Sequence, residues 1–548
     1  MKDWSSRYWN SFSFVGLVVA TLFFSASVTP SLLPRNYIVQ GLLSGFAIAV
    51  GYGVGICGLL LYDFLQFPQP TDRRQRNLKI ITTVVVALVF VLCLKQMTFW
   101  QNSIRQLMEM QPLETAFPYR TALIALLFGA CLIAVARLLG RCCVILSKKL
   151  NRFMPPRVST VLSVTLVGLI SLFLVNGVIA RGLLNAADAF FLRADSWIDD
   201  DVPQPVAALA SGSDESLISW DSIGRQGKEF IVGAPTASEL SEFWGSECLR
   251  PLRVYVGMQS GESSKQQAQL ALEELQRVGG FERSVLVVAT PTGTGWLDPS
   301  AVDTLEYLHG GDTAIVSIQY SYLPSWMTII VDPKRSIEAA RALFDEVYGY
   351  WITLPASERP KLYLFGLSLG ALGSEVSADL YTIFEDPIQG AVWSGPPFPS
   401  SQWSAVTASR QPGTPAWLPK YRDSAMLRFT AQKNALATGA RWGSIRSVYI
   451  QYASDPMVFF SPSLLWKRPA WLIGQRGPDV SPHLKWYPLV TFLQLAFDLP
   501  MATSVPLGYG HNYSASSYID AWIAVTQPGN WQPEDTARLK ERFKTPAT

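Results

Sequence analysis

The alternation of hydrophobic and polar positions divides this chain of 548 residues into two parts near residue 180. Before that point, five stretches are apolar over enough residues to cross about 30 Å of hydrocarbon. They cover approximately residues 12–33, 38–64, 78–94, 121–139 and 158–179. The pattern predicts an all-α transmembrane domain of five helices over residues 1–181.

The second part begins with a mixed segment, residues 182–250, which we interpret as a linker or domain edge. From residue 251 onward, short runs rich in β-branched residues alternate with amphipathic stretches. The predicted strands cover residues 252–258, 284–289, 313–319, 361–365, 387–393 and 447–452. This alternation is typical of an α/β domain in which a mostly parallel sheet carries helices on both faces.

The alternation stops at residues 394–446, before the last predicted strand. That position favours a cap inserted into the domain, and Trp403, Trp417 and Phe429 would suit the cap to an apolar substrate. With this cap included, the α/β domain is predicted to extend over residues 251–548.

The net charge of +3 conceals a strong asymmetry between the two parts. Residues 1–182 contain 17 Lys and Arg against 5 Asp and Glu, whereas the remainder contains 28 against 37. The basic residues lie beside apolar segments, so the charge pattern does not suggest nucleic-acid binding. The loops near residues 73–79 and 137–157 are the richest in Lys and Arg. The positive-inside bias places these loops and the N-terminus in the cytoplasm, and an odd number of spans places the α/β domain on the opposite side.

The first apolar stretch follows two basic residues, as a signal peptide would. Four further apolar stretches come after it, so we interpret it as a retained helix. Several glycines in the second stretch indicate close helix packing: Gly41, Gly45, Gly51, Gly53 and Gly55.

The stretch Gly366-Leu-Ser-Leu-Gly370 follows a predicted buried strand and precedes a predicted helix. This is the Gly-x-Ser-x-Gly pattern of a nucleophile elbow, in which a sharp turn needs small flanking residues and lifts the serine above the sheet. Ser368 is therefore the candidate nucleophile. A serine hydroxyl needs a neighbouring base to take its proton, and the base needs a carboxylate to orient it.

The partners are chosen by chain order, because this arrangement places an acid and then a histidine after the serine. Asp455 follows the last predicted strand and is the candidate acid, with Asp479 and Asp498 as alternatives. His511 is the candidate base, because His309 lies at the end of a predicted helix and His483 in a proline-flanked loop. An Asx turn before Pro456 is the competing interpretation of Asp455.

An acyl-transfer site also needs donors for the oxyanion. We expect one from the backbone N–H of Leu369 and a second from Thr292 or Gly293, in the glycine-containing loop after residue 289. The aromatic residues that follow the next strand, Tyr320, Tyr322 and Trp326, are candidates for the wall of the substrate pocket. The sequence has no C-x-x-C pair or cluster of His and Cys, so we expect neither a metal nor an organic cofactor.

Several longer motifs accompany these residues. They are Ser219-Trp-Asp with Gly224-Arg-Gln-Gly, Pro291-Thr-Gly-Thr-Gly-Trp, Gly311-Asp-Thr-Ala, Gln319-Tyr-Ser-Tyr-Leu-Pro-Ser-Trp, Gly366-Leu-Ser-Leu-Gly and Gly395-Pro-Pro. Together they resemble a family of bacterial membrane-anchored α/β-hydrolases over essentially the whole chain. That family usually has an acidic residue where this chain has Leu367. The resemblance implies an α/β-hydrolase fold, a serine-hydrolase activity and a multi-pass location in the bacterial cytoplasmic (inner) membrane.

These observations lead to one main expectation and two alternatives. The main expectation is a membrane-embedded esterase or lipase that cleaves a lipid or an acylated envelope component with Ser368, His511 and Asp455. An acyltransferase would use the same acyl-enzyme chemistry and differ in the acceptor. A non-catalytic envelope protein on a hydrolase fold would retain its function without Ser368.

Overall fold

The computed structural model of the protein describes residues 12–68, 72–174, 202–378, 383, 384 and 386–544. Residues 175–201, which contain the end of the fifth predicted span and the start of the predicted linker, lie outside this set. Numbered along the chain, the helices are α1 (Phe14–Ser27), α2 (Tyr37–Phe64), α3 (Asp72–Leu107), α4 (Pro118–Leu150), α5 (Pro156–Leu172), α6 (Arg225–Val232), α7 (Ala237–Trp244), α8 (Ser264–Arg277), α9 (Pro299–Leu308), α10 (Ser325–Val331), α11 (Lys334–Trp351), α12 (Leu369–Ser374), α13 (Ser401–Ala408), α14 (Pro456–Phe459), α15 (Val490–Asp498), α16 (Ala515–Thr526) and α17 (Pro533–Arg542).

The chain forms two compact units. The helical unit contains Met1–Asn185, Phe460–Leu472 and Pro478–Met501, and the sheet unit contains Ala186–Phe459, Ile473–Gly477 and Ala502–Thr548. The sequence predicted one continuous domain after residue 250. The structure instead assigns two stretches from that region, including α15, to the helical unit.

Helices occur in all five regions predicted to span the membrane. In the described part of the chain, α2, α3 and α4 are long and apolar enough to cross a membrane, whereas α1 has 14 residues and α5 has 17. Apolar side chains along α3 are uncovered: Leu78, Ile81, Val84 and Leu88 are 57–62% exposed. An apolar helix with so little protein around it is compatible with anchoring in a membrane.

Glycines bring the helices of the helical unit together. A Cβ on Gly55 of α2 would lie 2.7 Å from the Cα of Gly16 in α1, and one on Gly45 would lie 3.1 Å from the backbone of Gly129 in α4. Gly41 and Gly51 also lie at such contacts, with Ile124 and Phe23. Close packing at four of the five predicted glycines is confirmed, whereas Gly53 has nothing within 4 Å of its Cβ position.

The sheet unit is built on one parallel sheet whose strands run in the order β1-β3-β2-β4-β5-β7-β6. The strands are β1 (Leu252–Val256), β2 (Val285–Thr290), β3 (Thr313–Ile318), β4 (Lys361–Leu367), β5 (Gly390–Ser394), β6 (Leu427–Thr430) and β7 (Arg446–Ile450). Nearly every strand residue is buried, as expected for a parallel sheet covered on both faces. The six predicted strands are confirmed, and β6 is an addition from within the predicted cap.

Helices cover this sheet in two groups. Helix α8 packs against α11, and α9 packs against α16, while both groups also contact the strands. The central strand β4 lies between β2 and β5, with Thr290 beside Gly366 and Ser394 beside Leu367. Since parallel strands end at the same edge, the loops after β2, β4, β5 and β7 gather at one side of the sheet.

Candidate active site

Ser368 occupies the turn between β4 and α12. Its φ of 59° and ψ of −124° are rarely adopted by a residue with a side chain. Its backbone N–H donates to the carbonyl of Ser394, at the end of the neighbouring strand β5, over 2.9 Å. The turn therefore holds a strained serine at the carboxyl edge of the sheet.

The glycines that flank Ser368 are required by close backbone contacts. A Cβ on Gly366 would lie 2.3 Å from the carbonyl oxygen of Gly370. A Cβ on Gly370 would lie 2.1 Å from the carbonyl oxygen of Thr290, the last residue of β2. Any side chain at these positions would displace backbone, so the Gly-x-Ser-x-Gly spacing follows from the geometry of the turn.

Asp455 follows β7 and is fully buried. Its Oδ1 accepts a hydrogen bond from the backbone N–H of Met457 at 2.8 Å, which gives it the Asx-turn geometry. Its Oδ2 lies 2.7 Å from Nδ1 of His511 and accepts another bond from the hydroxyl of Tyr513, also at 2.7 Å. The Asx turn and the histidine contact therefore coexist, because each uses a different carboxylate oxygen.

His511 is held by its backbone as well as by its ring. Its N–H donates to the carbonyl of Ala502 at 2.8 Å, and the N–H of Gly510 donates to the hydroxyl of Ser454 at 2.9 Å. Because Asp455 accepts the proton on Nδ1, the lone pair of the neutral imidazole is on Nε2. This is the tautomer that a general base for a serine hydroxyl requires.

Ser368 and His511 both adjoin the dipeptide Ser394-Gly395. Gly395 has a φ of 54°, and a Cβ there would lie 2.5 Å from Cε1 of the His511 ring. Ser394 accepts the N–H of Ser368, as described above. Within the described residues, the buried atoms Ser368 Oγ and His511 Nε2 have no hydrogen-bond partner. The candidate site thus gathers a serine, a histidine and an aspartate around Ser394-Gly395 and His511, and Ser368 Oγ and His511 Nε2 are the unpaired atoms.

The alternative candidates lie in other surroundings. His309 Nε2 bonds the hydroxyl of Thr526 at 2.9 Å, and burial lowers the pKa of His309 to about 4. His483 packs its ring 5.0 Å from that of Phe99 in the helical unit. Asp498 bonds Arg35 in the same unit at 2.8 Å, and Asp479 belongs to that unit as well.

The backbone N–H groups predicted to stabilise an oxyanion lie in two different settings. Leu369 is the first residue of α12, where backbone N–H groups have no acceptor within the helix. The N–H of Thr292, in contrast, donates to the carbonyl of Trp296, and that of Gly293 donates to the hydroxyl of Ser325. In this structure both N–H groups bond within or beside their own loop. The role of Thr292 or Gly293 as the second donor to the oxyanion stays a prediction.

The aromatic candidates for the pocket wall divide into two kinds. Tyr320 is 4% exposed and donates its hydroxyl to the carbonyl of Pro291 at 2.9 Å, so it supports the loop after β2. Tyr322 and Trp326 are half-buried. The predicted cap aromatics are all buried: Trp403 donates to Gln451, Trp417 to the carbonyl of Gln475, and Phe429 stacks on Tyr449. These three residues belong to the packed interior of the sheet unit.

Two residues of the site were not identified from the sequence. Tyr513 donates to Asp455, and burial raises the pKa of its phenol well above the usual value, so the hydroxyl keeps its proton. Gly395 provides the space for the His511 ring. Gly395 begins the motif Gly395-Pro-Pro noted in the sequence, and Tyr513 lies two residues after the candidate base His511. Neither position in the sequence indicates which side chain the residue contacts.

Comparison with known proteins identifies the family of this chain. A model described as an alpha/beta-hydrolase family matches residues 252–539, and a model described as the N-terminus of that family matches residues 28–235. The first match begins at the first residue of β1 and includes all seven strands described above. A search of curated proteins and a search of solved structures found no match. Because the first family model matches more than half of the chain, this chain belongs to the alpha/beta-hydrolase family.

Proposed function

We propose that the protein is a membrane-anchored serine esterase that acts on a lipid or on an acylated component of a bacterial cell envelope. The observation that carries the proposal is the 2.7 Å bond from His511 Nδ1 to Asp455 Oδ2, together with an unpaired Ser368 Oγ on a residue that adjoins the same dipeptide, Ser394-Gly395, as His511. A bonded Nδ1 and an unpaired Nε2 are what a general base for a serine nucleophile needs. The membership of the alpha/beta-hydrolase family supports the same chemistry.

In the proposed reaction, Ser368 Oγ attacks the ester carbonyl carbon while His511 Nε2 takes the hydroxyl proton. Asp455 stabilises the resulting imidazolium, and the N–H of Leu369 donates to the developing oxyanion. The intermediate then releases the alcohol, which takes the proton from His511, and leaves the acyl group on Ser368. A water molecule, deprotonated by His511, hydrolyses this acyl-enzyme and restores the serine.

The helical unit is the reason for proposing a lipid-linked substrate. The apolar, uncovered surface of α3 is suited to contact with acyl chains, so the chain that carries Ser368 would be held at a membrane. We infer five crossings with the N-terminus and the basic loops in the cytoplasm, and the sheet unit on the other side. A reporter enzyme that is active outside the cytoplasm, fused at the C-terminus, should be active, and a cytoplasm-specific reporter should be inactive.

The proposal is tested by covalent labelling of the full-length protein in detergent or in lipid nanodiscs. A fluorophosphonate probe should label the wild type at Ser368, identified by peptide mass spectrometry, and should fail to label Ser368→Ala. The wild type should also hydrolyse p-nitrophenyl esters. If the folded wild type takes up no label and cleaves no ester, the protein is not a serine hydrolase.

A further inference from the structure

We propose that a buried polar cluster in the helical unit, centred on Arg35 and Asp498, positions the segment of chain that carries His511. Arg35 and Asp498 would then be positioning residues for the reaction, and the helical unit would take part in catalysis beyond anchoring. This inference rests on the proposed function, because it concerns the base of that reaction.

The cluster fixes α15 to the turn between α1 and α2. The side chains of Arg35 and Asp498 are fully buried and joined by a 2.8 Å bond from Nε to Oδ1. Arg35 also donates from Nη2 to the carbonyl of Gln494 at 2.9 Å and from Nη1 to Gln40 at 3.2 Å. The second carboxylate oxygen of Asp498 accepts the hydroxyl of Ser31.

Further bonds tie the same elements together. The side-chain amide of Gln494 donates to the carbonyl of Ser27, the last residue of α1, at 3.3 Å and to that of Thr29, in the turn that precedes Arg35, at 3.0 Å. The backbone N–H of Arg35 donates to the side chain of Gln101 in α3 at 2.9 Å. The end of α15 is therefore held by Arg35 and Ser31, both from the turn between α1 and α2, and two of the three bonds of the Arg35 guanidinium go to α15.

Chain connectivity links this cluster to the candidate base. Asp455 and His511 are consecutive members of the site along the chain. The stretch between them enters the helical unit at Phe460, returns to the sheet unit for Ile473–Gly477, and leaves the helical unit for the last time after Met501. Asp498 ends α15, and a single 3-10 turn, Leu499–Met501, follows it. The next residue is Ala502, whose carbonyl accepts the N–H of His511 at 2.8 Å.

A short and ordered path therefore separates the ion pair from the backbone of His511. Removing one partner of a buried ion pair leaves a charge that the surroundings must rearrange to accommodate. A displacement of α15 would move Ala502 and, through the hydrogen bond, the imidazole of His511. A misplacement of about 1 Å in a catalytic group lowers a rate by about 100-fold. The expected signature is a lower kcat with an unchanged KM, because the substrate contacts themselves are not altered.

The experiment compares Arg35→Gln, Asp498→Asn and Arg35→Lys in the full-length protein in nanodiscs. The final extent of fluorophosphonate labelling counts the folded sites, and kcat is expressed per labelled site. We expect kcat for p-nitrophenyl butyrate to fall by about 10- to 100-fold in Arg35→Gln and Asp498→Asn, with KM within about twofold. Arg35→Lys should recover part of the loss, because it keeps the charge while losing the contacts with Gln40 and Gln494.

Arg253→Gln is the matched control. Arg253 forms an equally buried ion pair with Glu306 in the sheet unit, at 2.6 Å, but it lies on β1 and outside the path to His511. This variant should lower the folded fraction without lowering kcat per labelled site.

The inference is overturned if folded Arg35→Gln and Asp498→Asn keep the wild-type kcat, or if Arg253→Gln loses kcat to the same extent. If neither of the first two variants folds, Ser31→Ala decides. It removes one bond to Asp498, and an unchanged kcat in that variant would contradict the proposal. A wild type that is not labelled at Ser368 would instead contradict the proposed function, so the two failures are distinguishable.

Discussion

The buried cluster of Arg35 and Asp498 in the helical unit and the candidate site in the sheet unit both contain polar side chains, but they differ in whether those side chains are paired. In the helical unit, the guanidinium of Arg35 and both carboxylate oxygens of Asp498 have partners. In the sheet unit, Ser368 Oγ and His511 Nε2 are buried with no partner among the described residues. An unpaired buried polar atom costs stability, and such costs concentrate at functional sites.

This difference predicts how variants at the Arg35 cluster and variants at the candidate site should behave. Removing an atom from a fully bonded cluster leaves its partners unsatisfied, so stability should fall. Removing an unpaired atom leaves nothing unsatisfied, so stability should hold while activity disappears. The following variants test whether this contrast is real, in order of decreasing effect.

Ser368→Ala should show the largest loss of activity. We expect kcat for p-nitrophenyl butyrate to fall by at least about 10⁴-fold, because the nucleophile is gone. The thermal unfolding midpoint should stay the same or rise slightly, because the hydroxyl has no partner to lose. Ser317→Ala is the control, since Ser317 Oγ on β3 is also buried and unpaired in the described structure. Its activity and its midpoint should both match the wild type, and a destabilised Ser368→Ala would contradict the contrast.

Asp455→Asn should follow, with a fall in kcat of about 10³- to 10⁴-fold. An amide can donate to Nδ1 of His511 and thereby favour the tautomer that leaves Nε2 protonated. Asp479→Asn serves as the comparison, because Asp479 was the alternative acid. If Asp455→Asn still hydrolyses esters and Asp479→Asn does not, Asp479 would be the residue that orients His511.

His309 offers a contrast with His511 within the sheet unit. Its Nε2 is bonded to Thr526, and burial lowers its pKa from 6.5 to about 4. Between these values the unfolded chain binds a proton that the folded protein does not, so stability falls as the pH falls from about 6.5 to about 4. The expected loss is about 3 kcal/mol from this group.

This loss can be measured from urea unfolding curves between pH 4 and pH 7. His309→Gln should flatten the curve of stability against pH in that window and leave kcat at pH 7 unchanged. If the free energy of unfolding of His309→Gln falls with pH as much as that of the wild type, groups other than His309 cause the loss of stability in acid.

Tyr513→Phe should give the smallest effect. Asp455 would keep its bonds to His511 and Met457 and lose one phenolic donor, so we expect kcat to fall by about tenfold, equivalent to roughly 1.4 kcal/mol. The matched control is Tyr452→Phe, whose hydroxyl bonds Ser517 at 2.8 Å and does not contact the acid. Equal effects of the two substitutions on kcat would assign Tyr513 a packing role.

The sheet could be predicted from the sequence because its strands are continuous apolar runs. Strand β6 was missed, since it is short and contains Arg428. The guanidinium of Arg428 is accommodated by the carbonyls of Ser424, Leu436 and Ala440 and by the ring of Trp442 at 3.9 Å. These partners are spread over a loop, so no periodic pattern indicates that an arginine is buried there.

The candidate site was chosen from the sequence on a different basis. Ser368 and Asp455 each follow a predicted strand, His511 was chosen by chain order and by setting aside His309 and His483, and the structure brings Asp455 and His511 into contact. The position of α15 was not predictable, because Arg35 and Asp498 are 463 residues apart and each has an ordinary local context. Arg35 follows a proline and is typical of an exposed charge in a loop. Asp498 is typical of the end of a helix.

The length of α3 has a consequence for the depth of the Arg35 cluster. Its 36 residues extend about 54 Å, well beyond the roughly 30 Å of a hydrocarbon layer, even with an average tilt of about 20°. Its apolar run ends near Leu94, so Gln101, which bonds Arg35, would stand about 10 Å further along the axis, among lipid headgroups. Bilayer thickness would then set how much water reaches the ion pair, and a thicker membrane would press hydrocarbon toward it.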